Sequence, residues 1–167
     1  MKTEVDNGIL KIYTDEFIRG ERIKEVFVTY VTLETAIATD ASTLNSQDLI
    51  VADKFQLIAR GAAEIKLRVN CQQLALQMEQ NANVQLAGQA EYFQFNIDHV
   101  GDLMAYNFLT KSCTSLIKTP PQSPGVARIQ VSDTLSVQID GPRHLYYKGA
   151  PKVVKKQISG GGRLVKY

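Results

Sequence analysis

The sequence predicts an all-β fold: a single-stranded parallel β-helix, or β-solenoid, with coils of about 19 residues. Three observations predict it. Apolar and polar residues alternate along much of the chain, turn-forming residues punctuate the alternation, and one apolar phase recurs at a nearly fixed spacing.

The alternation is clearest in Ile9-Leu10-Lys11-Ile12-Tyr13, Val26-Phe27-Val28-Thr29-Tyr30-Val31, Phe93-Gln94-Phe95-Asn96-Ile97, Arg128-Ile129-Gln130-Val131 and Leu135-Ser136-Val137-Gln138-Ile139. Period two with β-branched and aromatic residues marks half-buried strands. Between the runs lie Asp6-Asn7-Gly8, Arg19-Gly20, Asn81, Gly88, Gly101, Pro120-Pro121, Pro124-Gly125, Asp140-Gly141 and Gly160-Gly161-Gly162, residues that favour turns.

The repeat begins with strand starts at Phe55, Leu74, Phe93, Leu116 and Leu135, spaced by 19, 19, 23 and 19 residues. Ten residues after each start stands another apolar residue: Ile65, Val84, Leu103, Val126 and Leu145. Leu33 and Leu44 open an earlier, less regular coil. The unit reads as strand, turn, strand, turn, so that each coil stacks its apolar column on the next at about 4.8 Å. The long step predicts a protruding loop around Asn107–Ser115 and the Pro-rich turn Thr119–Gly125.

A single domain over 1–167 follows: capping strands over 1–32, repeat coils over 33–150, and a C-terminal strand and tail over 151–167. The capping part reads as two longer strands over residues 8–31, joined around Glu16–Glu25.

Bulk properties narrow the function. The chain has 167 residues, 44% hydrophobic and 22% charged, enough to bury a core without a metal or disulfide staple. Its net charge of +2 gives no argument for nucleic acid, and no nucleic-acid partner is expected. The charge is uneven. Gly141–Tyr167 holds no acidic residue but seven Lys or Arg, whereas residues 1–53 hold ten acidic and five basic residues. A basic end can hold anionic glycans, lipid head groups or nucleic acid, or can simply keep a sheet edge soluble. No apolar run approaches the roughly 20 residues of a membrane-spanning helix. Glu4 and Asp6 interrupt the stretch where a signal peptide needs an apolar core.

The C-terminal run contains Tyr147, Gly149 and Pro151 in the order Y-x-G-x-P, followed by Ser159-Gly160-Gly161. The opening Val5-Asp6-Asn7-Gly8-Ile9-Leu10-Lys11-Ile12 has the form "dnGtLkI". In these features and in the repeat between them the chain resembles the auto-transporter adhesin "head GIN" domain family. It departs from that family's Ser-Gly turn pairs at Gln80-Asn81 and His99-Val100. The resemblance implies a β-helical fold, export in Bacteroidetes-like bacteria, an extracellular, periplasmic or cell-surface location, and an adhesive role. The family has no established catalytic residues to carry over.

Candidate chemistry collects at two places. The fifth residue after each strand start is Arg60, Glu79, Asp98, Pro121 or Asp140. Glu79 and Asp98 would then neighbour each other on adjacent coils, with His99 beside Asp98. Two carboxylates about 5 Å apart suit a retaining glycosidase or, with a third ligand, Ca²⁺. They equally suit a turn column that simply faces water. Near the C-terminal coils lie Tyr106, Tyr146 and Tyr147; alternation turns one of Tyr146 and Tyr147 inward, and the other forms with Arg143 and Lys148 the most plausible small binding patch. No HExxH, GxSxG or phosphate-binding Gly loop is present, so no catalytic residue, metal or cofactor is assigned. Cys71 and Cys113 fall in one column two coils apart, about 9–10 Å, too far for a disulfide; two free, buried thiols are expected.

The function read from these features is a non-catalytic extracellular or cell-surface binding module whose partner is a glycan or another surface protein. The alternatives are a polysaccharide-active, pectinase-like β-helix enzyme, and a structural protein that homo-oligomerises through open solenoid edges.

Overall fold

The computed structural model describes residues 1–14, 24–122 and 125–167, without the side chain of Val154. The chain divides into two compact units, residues 1–31 and 32–167.

The first unit is a hairpin. Strands β1 (Lys2–Asp6) and β2 (Ile9–Tyr13) pair antiparallel, with Asp6 opposite Ile9. Asn7 and Gly8 make the two-residue turn with φ of 48° and 78°. Positive φ at both central residues is what a tight hairpin turn demands, and Asn-Gly supplies it at least cost. The alternating run Val26–Val31, expected to be a strand, forms none. Alternation favours extended backbone, but a strand also needs a partner for its N–H and C=O groups. The expected joint around Glu16–Glu25 and the turn at Arg19-Gly20 fall largely outside the described residues.

The second unit is a parallel β-solenoid of about seven turns. Its strands are β3 (Thr35–Ala38), β4 (Thr43–Asn45), β5 (Ile50–Ala59), β6 (Glu64–Glu79), β7 (Asn83–Asp98), β8 (Leu103–Lys118), β9 (Val126–Asp140), β10 (His144–Lys148), β11 (Lys152–Ser159) and β12 (Arg163–Lys166). Every described pairing among them is parallel and joins one coil to the next. No helix of the described residues is long and apolar enough to cross a membrane.

Each full coil has one turn and one bend, not two turns. In β6, Ile65, Leu67 and Val69 point inward; the alternation then slips at Asn70–Gln73, and Leu74, Leu76 and Met78 point inward instead. The slip folds a continuous strand into two walls that face each other across the core. We call residues 64–69 and their equivalents the first wall, and 74–79 and theirs the second.

One inward column runs Leu44, Ile65, Val84, Leu103, Ala127, Leu145, Leu164. Another runs Phe55, Leu74, Phe93, Cys113, Leu135. Two sequence assignments therefore shift. Cys113, not Leu116, continues the Phe93 column, and Ala127, not Val126, continues the Leu103 column. Leu116 faces outward beside Asn96 and Gln138. The extra residues of the long coil are spread over bulges. Three register shifts lie between Gln85 and Ala87, Ala105 and Leu109, and Thr110 and Ser112. Asn107–Ser115 is thus bulged strand, not loop, while the Pro-rich segment does lie between strands.

The core is filled by large side chains in contact along the axis. The Phe93 ring lies 5.2 Å from Phe95 and 5.4 Å from Phe108. Each such burial contributes about 1.5–3 kcal/mol. At the bend the backbone presses against the preceding coil: a Cβ at Gly149 would lie 1.9 Å from the Val131 carbonyl oxygen, at a φ of 102°. Only glycine fits there, which accounts for the Gly of the Y-x-G-x-P run.

Cys71 aligns with Ala90 and then Thr110, whereas Cys113 aligns with Phe93. The two cysteines thus occupy different columns, contrary to the single column expected. Both are free; Cys113 is buried and Cys71 half-buried.

Candidate functional site

Turns stack where the second wall of one coil passes to the first wall of the next. Glu79, Asp98, Lys118, Asp140 and Ser159 follow one another in register. Lys118 takes the place expected for Pro121. Glu79 and Asp98 are neighbours as expected, but each has its own partner. Arg60 Nε lies 3.1 Å from Glu79, and Gln77 Nε2 donates to Glu79 at 2.6 Å. His99 Nδ1 lies 3.0 Å from Asp98. Asp98 is 61% exposed by side chain. A catalytic carboxylate pair needs one member kept protonated by apolar surroundings. This column is a ladder of solvent-facing charges instead. Among the described residues no group of three His, Cys, Asp or Glu side chains is placed to hold a metal. His99 and Gln80 also take φ of 80° and 60° as turn residues, each lining one shallow depression with Gly61, Ala62, Asn81 and Val100.

Arg143 is not on the surface. It is 1% exposed, donating Nη1 to the Gly101 carbonyl at 2.6 Å and Nη2 to the His99 carbonyl at 3.3 Å. Burial pushes its pKa down from the usual arginine value, against the favourable field of Asp102. Gly125 passes over it, where a Cβ would lie 2.0 Å from Nη2. Arg143 is therefore a fastener between turns and leaves the binding patch assigned to it.

The aromatic and basic residues named with it lie on the outward side of the first wall in the last coils, except Tyr147. Tyr146 stands in the outward column Met104, Arg128, Tyr146, Val165. Tyr147 points inward and packs against the core, so Tyr146 is the outward member of the pair. The Arg128 guanidinium lies 5.9 Å from the Tyr146 ring centre, and the His144 ring lies 6.3 Å from it. Arg128 Nη1 also contacts Met104 Sδ at 3.0 Å. Beside this group, Lys148 Nζ sits 4.4 Å from the Tyr106 ring and 5.1 Å from the Tyr167 ring, which are 5.5 Å apart. Tyr106 lies on the bulged stretch of β8. Desolvation raises the Tyr106 pKa, with Arg128 opposing. These contacts hold the side chains in place. Cation–π attraction of this kind contributes about 0.5–2 kcal/mol per pair.

Sequence reasoning named Tyr106, Tyr146 and Lys148 but missed Arg128 and Tyr167. Placing Val126 inward puts Arg128 inward too. The alternation Arg128-Ile129-Gln130-Val131 held the signal that would have corrected it.

The model of the family described as "Putative auto-transporter adhesin, head GIN domain" matches residues 1–151. The chain belongs to this family. Two solved chains match this head GIN protein. One is the crystal structure of a putative adhesin from Parabacteroides merdae ATCC 43184, with a TM-score of 0.55 and 19% identity. That match covers 81% of this chain and 64% of the solved one, so this chain spans less than two thirds of that structure's length. At this identity the likeness concerns the fold. A search of curated proteins gives no match.

Proposed function

We propose that this head GIN chain is a non-catalytic surface-binding module, exported to the cell surface or beyond, and that it binds a glycan on the first wall of its last coils. The observation that carries this reading is Tyr146, an outward aromatic flanked by Arg128 and His144 on a strand-borne surface. Aromatic faces pack against the C–H faces of sugars, and cations beside them bind the polar rim. Groups mounted on a stacked sheet are also ordered before binding, which lowers the entropy cost of association. Membership of an adhesin-type family supports the same reading. The enzyme reading finds less support, since Glu79 and Asp98 are each engaged by a neighbour on an open turn face.

The test is a glycan array probed with the purified chain, with calcium and with chelator. Saturable binding to a glycan class is expected, unchanged by chelator. A blank array from folded protein would overturn the proposal.

A further inference from the structure

The two walls differ in charge. On the second wall, away from its turn column, the outward columns Gln56, Ala75, Gln94, Thr114, Ser136, Lys155 and Gln77, Asn96, Leu116, Gln138, Gln157 carry mainly amides and hydroxyls, with Lys155 the one charge among them. On the first wall the last four coils use residues 103–109, 126–131, 144–148 and 163–167, which contain no Asp or Glu. The same segments hold Arg128, Lys148, Arg163 and Lys166.

The nearby acid is Asp102, at the corner of the wall. Its carboxylate accepts the Val126 N–H at 2.7 Å, and its field falls on the buried Arg143. It is spent within the fold. Among the described residues, Arg128, Lys148 and Arg163 have no ion-pair partner. Two cations elsewhere are paired, Arg60 with Glu79 and Lys111 with Glu91 at 2.7 Å.

Cation–π contacts hold Arg128 and Lys148 over tyrosine rings while none of the described acidic side chains pairs with them, so an incoming anion meets ordered, uncompensated positive charge. We infer that the glycan bound here is anionic, a polysaccharide bearing carboxylate or sulfate groups along its length. The inference rests on the glycan-binding reading above and assigns its chemical class. Tyr146 would face a sugar ring, while Arg128 and Lys148 take the acidic groups. A guanidinium engages a carboxylate or sulfate through two parallel N–H donors, and an ammonium through one.

The experiment measures binding of the full chain to matched pairs: polygalacturonate against its methyl-esterified form, and dextran sulfate against dextran. The expected result is at least tenfold tighter binding of the charged member of one pair, and the preferred pair tells carboxylate from sulfate. Affinity should fall as salt rises, because exposed charges are screened. Arg128→Gln and Lys148→Gln should each cost several-fold with the melting temperature kept, whereas Lys155→Gln/Lys156→Gln should not. Equal affinity for charged and neutral members overturns the anionic assignment and leaves the glycan-binding proposal standing. Binding to none of the four, beside a positive array for another neutral glycan, does the same. Charged-polymer binding that survives both wall substitutions but is lost on the Lys155/Lys156 change overturns the placement.

Discussion

Arg143 donates Nη1 to the carbonyl oxygen of Gly101 at 2.6 Å, joining turns that lie 42 residues apart in the chain. The guanidinium occupies the space beneath the Pro-rich turn, where Gly125 has no side chain to compete for it. A longer turn would otherwise leave a gap in the stack, with the carbonyls of Gly101 and His99 facing it.

Arg143→Met keeps much of the volume but leaves those carbonyls without their donor. Unpaired buried carbonyls cost about 1–3 kcal/mol. A loss of that size lowers the melting temperature by roughly 2–12 °C for a chain of this length. Thermal denaturation followed by circular dichroism checks it; an unchanged midpoint would mean that the guanidinium does not hold the turns.

Gln80 sits at φ 60° in the turn column, where Gly61 and Gly160 serve in other coils with φ of 69° and 71°. A side chain in that region costs about 1–2 kcal/mol, of which glycine returns part as backbone entropy. Gln80→Gly is expected to raise stability by about 0.5–1 kcal/mol. Gly149→Ala should do the opposite, and by more, because its Cβ meets the Val131 carbonyl. Urea titrations of both variants read the two signs.

Burial pushes the Cys71 thiol up to about 11 from a usual 9.0, and Cys113 higher still. Both should resist a thiol reagent at neutral pH in the folded protein. A raised thiol pKa favours the folded state below pH 9 and is lost as pH climbs toward 11. Stability should therefore fall between about pH 9 and 11, and Cys71→Ser should flatten part of that fall. Cys71 should label faster as pH rises, and Cys113 only on unfolding. Rapid labelling of both at pH 7.5 would contradict the burial.

The all-β solenoid was legible because Phe55, Leu74 and Phe93, and with them Ile65, Val84 and Leu103, keep a strict 19-residue phase. Legibility failed at β8 and β9. There the bulges insert residues inside a continuous strand, and a polar or small residue, Cys113 or Ala127, takes a core position that an apolar neighbour advertises more loudly. A shift of one residue reverses which side chains face out. That is how Arg128 escaped notice while Arg143, inside the stack, was assigned to the surface. Val26–Val31 failed differently: its alternation is real, but pairing is a tertiary property that no local pattern contains. At the candidate site, aromatic residues and basic charge were visible as composition. Their convergence depended on Tyr106, in the bulged part of β8, meeting Tyr167 across the two coils between them, a contact no sequence phase predicts.

The most direct measurement is the affinity of the wild-type chain, Tyr146→Ala and Gln94→Ala for a glycan the array identifies. Tyr146 lies on the first wall and Gln94 on the second. Binding on the first wall predicts that Tyr146→Ala weakens affinity about tenfold, equivalent to about 1.4 kcal/mol, with the fold intact, and that Gln94→Ala stays within about twofold. Wild-type affinity in Tyr146→Ala, or an equal loss in Gln94→Ala, would contradict it.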